Sequence, residues 1–264
     1  MKAALIAGGV SPSNIIDLAH DLPVHGIREG AFLLREMARA FPPNSVHLAV
    51  VDPGVGGRRA AIVLVTRAGP YLVGPDNGVL LPLAEELGLR SAYRIDLSRL
   101  HGRPRVGTTF DGRDVFAPAA AVLAGGGRPS GLGPRTTPSP FTLPLPRRAP
   151  HGGEGEVLHV DRFGNLITNI PSRWLPERVG FVEVRVGRAG HGATIPWAAS
   201  YESLGRGVLG ALGSSFGFLE VAVGEGRASD RLRASVGTPV VIGWRSPRAR
   251  QGENANSARP RKRR

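Results

Sequence analysis

Six prolines fall between positions 134 and 155, at Pro134, Pro138, Pro140, Pro144, Pro146 and Pro150. Proline fixes φ and carries no N–H, so this spacing forbids a continuous helix and a central strand alike. The chain must organise itself on either side, and the stretch reads as an interdomain linker. The expected division is an N-terminal domain over 1–133, a linker over 134–155, a second domain over 156–244 and a disordered basic tail over 245–264.

Upstream of the prolines, strand-like and helix-like segments alternate. Asn14–Leu18 is short and mostly apolar, as a strand is. Gly30–Ala40 has helical spacing and closes at Phe41-Pro42-Pro43, where a helix should stop. Val46–Val51 is apolar except for His47, which predicts a strand buried on both faces. Ala61–Val65 and Tyr71–Val73 follow as strands, with Ala68-Gly69-Pro70 as a turn between them. Val79–Leu87 and Asp114–Leu123 read as helices. This alternation predicts an α/β domain with a mostly parallel sheet. Downstream, Glu156–Val160, Gly180–Val186, Ala193–Pro196, Phe218–Val223 and Pro239–Ile242 are short strand-like runs with no long helix among them. They predict a smaller antiparallel β-barrel.

With 264 residues, 41% of them hydrophobic, the chain can bury the cores of two such domains. No run approaches the roughly 18 apolar residues that span a bilayer. Lys2 and the apolar residues after it break at Gly8-Gly9 before they amount to a signal peptide. There is no cysteine, hence no disulfide framework and no thiolate chemistry. A cytoplasmic location without membrane partners is the expectation. The net charge of +13 invites a nucleic-acid reading. However, only Lys2 and Lys262 are lysines, and the excess of Arg accompanies many Ala, Gly and Pro, as in a GC-rich genome. Residues 245–264 hold eight basic side chains against Glu253 alone, so a solvated tail accounts for much of the excess. Nucleic acid is accordingly disfavoured as a partner.

Four segments carry chemistry. Val51-Asp52-Pro53-Gly54-Val55-Gly56-Gly57-Arg58-Arg59 follows a buried strand, at the end where open α/β sheets bind ligands. Asp52 puts a carboxylate at that rim, and Arg59 is placed to fold back onto it. The loop lacks the Gly-Lys-Ser/Thr ending of a phosphate cradle. Gly74-Pro75-Asp76-Asn77-Gly78 is a turn whose Asp76 or Asn77 can cap the following helix. In Thr108-Thr109-Phe110-Asp111-Gly112-Arg113-Asp114, Asp114 is a candidate N-cap paired with Arg113. Asp111 has no evident structural duty. Asp161-Arg162-Phe163-Gly164-Asn165 gathers short polar side chains able to read hydroxyls and amines of a small ligand.

In this order, VVDPGVGGRR, GPDNGVL, TFDGRDVFAP, DRFGNLITNI and SSFGFLEVA resemble the S-adenosyl-L-methionine hydroxide adenosyltransferases, relatives of fluorinase and chlorinase enzymes. The resemblance implies an α/β domain followed by a β-barrel domain. It implies a homotrimer whose ligand sites lie between one subunit's first domain and its neighbour's second. The implied reaction is hydrolysis of S-adenosyl-L-methionine to adenosine and L-methionine by water attack at ribose C5′. No metal and no cofactor are implied, because the sulfonium is already a leaving group. The implied catalytic residues are Asp52 and Arg59, with Asp111 in the third position. The implied substrate-binding residues are Asp161, Asn165, Ser215, Glu220 and Tyr201, the last stacking on adenine.

Two departures accompany the resemblance. The third catalytic position holds His in the family, and here it is Asp111. Three outcomes stay open: Asp111 serves as water base, another histidine such as His20 or His25 enters the site, or hydrolysis is weak. The family also has a strand with a ribose-gripping Asp ahead of the segment matched by Met1-Lys2-Ala3. That strand and Asp are expected to be absent here, through a misassigned start. The rival reading is a non-catalytic relative that binds S-adenosylmethionine or adenosine. A third is nucleic-acid binding through the tail.

Overall fold

The computed structural model describes residues 1–100, 107–177, 179–187 and 192–244. The basic tail over 245–264 lies outside the described residues. The chain divides into two compact units, Met1–Leu143 and a second beginning at Pro144.

The first unit contains α1 (Lys2–Ala7), α2 (Ile27–Ala38), β1 (Val46–Leu48), β2 (Ala61–Thr66), β3 (Tyr71–Pro75), α3 (Leu81–Glu86), β4 (Leu89–Arg94), α4 (Ala117–Ala124), α5 (Pro129–Leu132) and β5 (Arg135–Thr136). Helix α2 forms because Ala31, Leu34 and Ala38 recur at helical spacing and are buried, with Phe32 beside them. Helix α3 carries Pro82 in its first turn, where the missing N–H has no partner to lose.

The sheet runs in the order β1-β3-β2-β4-β5. Only the pairing of β1 with β3 is parallel, and the other three are antiparallel. The sheet is thus mixed, not mostly parallel as the alternation predicts. The cause is local. Thr66 and Tyr71 are joined by a four-residue turn with Gly69 at φ 115°, and so short a link can only reverse the chain. Thr66 Oγ1 closes the turn on the Pro70 carbonyl at 2.9 Å. The predicted strand at Asn14–Leu18 is also absent. Pro12–Asn14 forms a 3₁₀ turn, and Ile16 stays 65% exposed.

Strand β1 is at one edge of its sheet. A cavity of about 1220 Å³ lies against it, bounded on other sides by Leu33 and Met37 of α2 and by the segment 8–25, and it reaches Asp52. Every residue from Val46 to Val51 lines it. Residues of both strand faces can do so only from the strand's free edge. His47 is 6% exposed there, and its Nε2 has no hydrogen-bond partner.

The second unit contains β6 (Arg147–Ala149), β7 (Gly152–Val160), β8 (Leu166–Pro171), β9 (Phe181–Val186), β10 (Ala193–Pro196), β11 (Leu209–Gly213), β12 (Phe218–Val223), α6 (Ala228–Leu232) and β13 (Pro239–Gly243). The strand order is β10-β9-β13-β7-β8-β12-β11, with β6 paired to β7, and every pairing is antiparallel. The Ala198 N–H donates to the Ala211 carbonyl at 2.7 Å. That bond ties the chain leaving β10 to β11, so the two ends of the sheet meet as a nearly closed barrel. Strand β9 alternates exposed and buried along Phe-Val-Glu-Val, the pattern of a barrel wall. The residues read as a linker are partly strand, since β5, β6 and the start of β7 lie between 134 and 155.

His47 generates a prediction. Burial holds the imidazole below its ordinary pKa of 6.5. Above pH 6.5 folded and unfolded chains both carry it neutral. As pH falls through 6.5 the unfolded chain binds a proton that the folded chain refuses, so stability is lost. Urea unfolding of wild type and His47→Leu should therefore diverge between pH 7.5 and 5, by at most about 1.4 kcal/mol per pH unit, with the variant the less acid-sensitive. Parallel pH dependences would refute the assignment.

Candidate active site

Strand β1 delivers the chain to Asp52, and the Ala49 N–H still bonds the Val73 carbonyl at 3.1 Å just before it. The next residues form a tight loop. Val55 N–H bonds the Asp52 carbonyl at 3.3 Å, and Gly57 N–H bonds the Gly54 carbonyl at 3.0 Å. Gly56 sits at φ 76°, and a Cβ on it would lie 2.8 Å from the Thr108 carbonyl oxygen. Only glycine combines that conformation with so close an approach. The loop returns Arg59 to the start of β2.

Arg59 Nε donates to both Asp52 oxygens, at 2.9 and 3.0 Å, and Nη2 also bonds Asp52 Oδ2. The same Nη2 donates to Asp111 Oδ2 at 2.6 Å. Asp111 comes from elsewhere in the chain, immediately before a π-helical turn over Gly112–Phe116 that leads into α4. The side chains of Asp52 and Asp111 are 6% and 5% exposed, and that of Arg59 is 13% exposed. Beneath the guanidinium lies the fully buried Phe116 ring, 5.3 Å from Arg59 Cζ to the centroid. Burial works against the Arg59 charge, yet the bonds to Asp52 and Asp111 outweigh it and move its pKa up.

Asp52, Arg59 and Asp111 are thus brought together. His20 and His25 line the same cavity as Asp52, with other bonding and exposure. His20 Nε2 bonds Asp17 Oδ1 at 2.9 Å, and His25 is exposed in a left-handed turn at φ 67°. Lys2 and then His20 hold the Asp17 carboxyl below its usual range. Asp114 pairs with Arg113 at 2.6 Å but lies inside the π turn instead of capping a helix. Phe116 escaped the sequence reading, since no spacing rule marks an aromatic that supports an arginine across two loops.

In the second unit, Asp161 directly follows β7 and Asn165 directly precedes β8. Asp161 Oδ1 accepts from the N–H groups of Phe163 and Asn165, and Oδ2 accepts from Asn165 Nδ2, all at 2.9 Å. Much of its capacity is spent on its own hairpin, whose Gly164 stands at φ 82°. Tyr201 Oη donates to Glu220 Oε1 at 2.6 Å. Glu220 is 2% exposed, whereas Tyr201 is 53% exposed, so a buried carboxyl anchors a surface ring. Burial pushes the Glu220 pKa up, the Tyr201 bond works against that, and Asp161 adds to the rise. Burial and then Glu220 raise Tyr201 as well. Ser215 does not join this group within one chain. It lies in the β11–β12 turn, and the register pairs Phe218 with Pro171, the end of β8 away from Asn165. Phe163, two residues after Asp161, is 60% exposed.

Among the described residues, no group of three or more His, Asp or Glu side chains could hold a metal ion, and no helix is long and apolar enough to cross a membrane.

Residues 1–133 match the SAM hydroxide adenosyltransferase N-terminal domain, and residues 155–241 match the corresponding C-terminal domain. The chain belongs to the SAM hydroxide adenosyltransferase family. A relative from Thermus thermophilus, named (R)-S-adenosyl-L-methionine hydrolase, is 41% identical over 252 residues, covering 92% of each chain. A fluorinase from Actinopolyspora mzabensis is 27% identical over 184 residues, covering 59% of this chain and 61% of its own. The fold matches a crystal structure of an uncharacterized conserved protein from Thermotoga maritima with a TM-score of 0.82 at 36% identity, covering 92% of this chain and 93% of the other.

The cluster makes a stability prediction. Arg59→Met leaves two nearly buried carboxylates facing each other without their cation, and should cost about 3–5 kcal/mol. Adding Asp111→Asn removes one of those charges and should restore part of the loss. Chemical denaturation of the three variants checks this, and additive losses would mean that the carboxylates do not interact through Arg59.

Proposed function

We propose that this member of the SAM hydroxide adenosyltransferase family hydrolyses (R)-S-adenosyl-L-methionine to adenosine and L-methionine. In the proposed step, a water oxygen forms a bond to ribose C5′ as the C5′–S bond breaks. The sulfur keeps the electron pair and leaves as the neutral thioether of methionine. The attacking water loses a proton to a carboxylate. Asp52 orients the water and receives the proton, and Arg59 holds Asp52 in place. Asp111 takes a modified third role, holding Arg59 from its other side.

The observation that carries the reading is the single guanidinium bridging two nearly buried carboxylates. The carboxylates of Asp52 and Asp111 place negative charge at the site, which attracts a sulfonium cation. The same charge opposes an anionic nucleophile, so water is favoured over halide. Because the sulfonium leaves as a neutral molecule, the step calls for no metal to polarise it and no cofactor. The work left to the protein is positioning and proton uptake.

Asp161, Asn165, Tyr201 and Glu220 are assigned to the adenosyl and methionine parts, with Ser215 added from the resemblance. Stacking of an aromatic such as Tyr201 on adenine contributes on the order of 1–3 kcal/mol. The working form in this reading is a homotrimer. One copy supplies Asp52, Arg59 and Asp111, and a neighbour supplies the residues of its second unit. The exposed rings of Tyr201 and Phe163, ready to be covered by a ligand or a neighbour, support that assembly.

The test is incubation of purified protein with S-adenosylmethionine in ¹⁸O-water, followed by chromatography and mass spectrometry. Adenosine carrying ¹⁸O at the 5′ oxygen is expected. Asp52→Asn should lower kcat by about 10²-fold or more, as expected for loss of a general base. Binding seen by calorimetry with no adenosine formed would instead identify a non-catalytic binding protein.

A further inference from the structure

We infer that Asn77 is a positioning residue that sets the placement of Asp52 and Arg59; the inference rests on the hydrolytic reading above. Its turn, Asp76-Asn77-Gly78, follows β3 and touches both ends of the Asp52–Arg59 loop. Asn77 Nδ2 donates to the Val51 carbonyl at 2.8 Å, the peptide that leads into Asp52. The Asp76 N–H donates to the Ala60 carbonyl at 2.9 Å, one residue beyond Arg59. One turn therefore braces the loop where it leaves β1 and where it enters β2.

The brace is itself fixed. Asp76 Oδ1 and Oδ2 accept from the backbone N–H and the hydroxyl of Ser139, at 2.8 and 3.0 Å. Gly78 stands at φ 101° against the Phe141 ring, so the turn has little room to shift. Asn77 Oδ1 accepts from the Val79 N–H at 3.2 Å. The two ends of this amide thus do separate jobs. The oxygen closes the turn on Val79, ahead of α3, whose N-terminus has no side-chain cap, and the nitrogen reaches the reacting loop. Asn77 is half-buried, and the role given to it is through the Val51–Asp52 peptide only.

This separation permits a clean test. Asn77→Asp keeps an oxygen that accepts from Val79 N–H and has no donor for Val51, and Asn77→Ser keeps an oxygen on a shorter side chain that withdraws the amide donor from Val51. If Asn77 only closes the turn on Val79, both variants keep wild-type kcat. If it positions Asp52, both lose about tenfold or more in kcat, KM stays within about twofold, and melting temperatures stay close to wild type. A misplacement of about 1 Å at a reacting group is enough for such a loss. Unchanged kcat in either folded variant overturns the inference. Crystal structures of wild type and Asn77→Ser give a readout independent of turnover. A displaced Val51–Asp52 peptide with altered Asp52–Arg59 bonds supports the role even if the wild type proves not to hydrolyse S-adenosylmethionine. A loop that superposes on the wild type overturns it.

Discussion

Two ionised carboxylates that sit close together, both nearly out of water, repel each other unless a cation stands between them. At an effective dielectric near 20, unit charges about 4 Å apart interact by about 4 kcal/mol. The Arg59 fork meets that demand by donating to Asp52 and Asp111 together. It imposes conditions on three remote pieces of chain. Strand β1 must end at Asp52, the glycine loop must return Arg59 within seven residues, and the π turn must present Asp111 to the same nitrogen. A π turn widens the helix by one residue. Here it also carries Phe116, the ring that the guanidinium lies over.

The second unit handles buried polarity by a different route. Strand β8 is buried along its whole length although it contains Thr168 and Asn169. Each is satisfied within the unit. Thr168 Oγ1 donates to the Leu219 carbonyl at 2.8 Å, Asn169 Nδ2 donates to the Pro144 carbonyl at 2.9 Å, and Asn169 Oδ1 accepts from the Glu156 N–H at 2.9 Å. Polar residues of this unit thus split into two kinds. Thr168 and Asn169 hold strands together, while Tyr201 and Glu220 connect the interior to the surface. The difference lies in what faces the outward end of each side chain, which a linear sequence does not encode.

Much of the fold could be read before the structure. The helix ending before Pro42, the position of Pro82 in a first turn and the strand-only texture after the prolines all follow from local chemistry. Strand direction did not follow from alternation alone. Yet Ala68-Gly69-Pro70 was in view, and a turn that short between two strands forces them antiparallel. Strands β8 and β11 were missed because one is buried on both faces and the other is rich in glycine, so neither shows the alternation of a barrel wall. In the site, the pairing of Arg59 with Asp52 was accessible because seven residues of glycine-rich loop allow little else. That Asp111 shares the same nitrogen is a contact across 52 residues, and only tertiary structure supplies it.

Asp111 puts a carboxylate where the resemblance implies a histidine, and that changes the electrostatics of the proposed site. A neutral histidine beside Asp52 and Arg59 would leave a cluster with no net charge. An aspartate there adds a second carboxylate in a nearly buried place, and the permanent charge of Arg59 is what both carboxylates bond. A site built this way holds water well, because carboxylates accept both of its hydrogens, and it holds halide badly. In the proposed reading, Asp111 adds a second carboxylate beside Asp52, which favours water over an anionic nucleophile. Preference for water can thus be written in the charge of a supporting residue as much as in the group that touches the nucleophile.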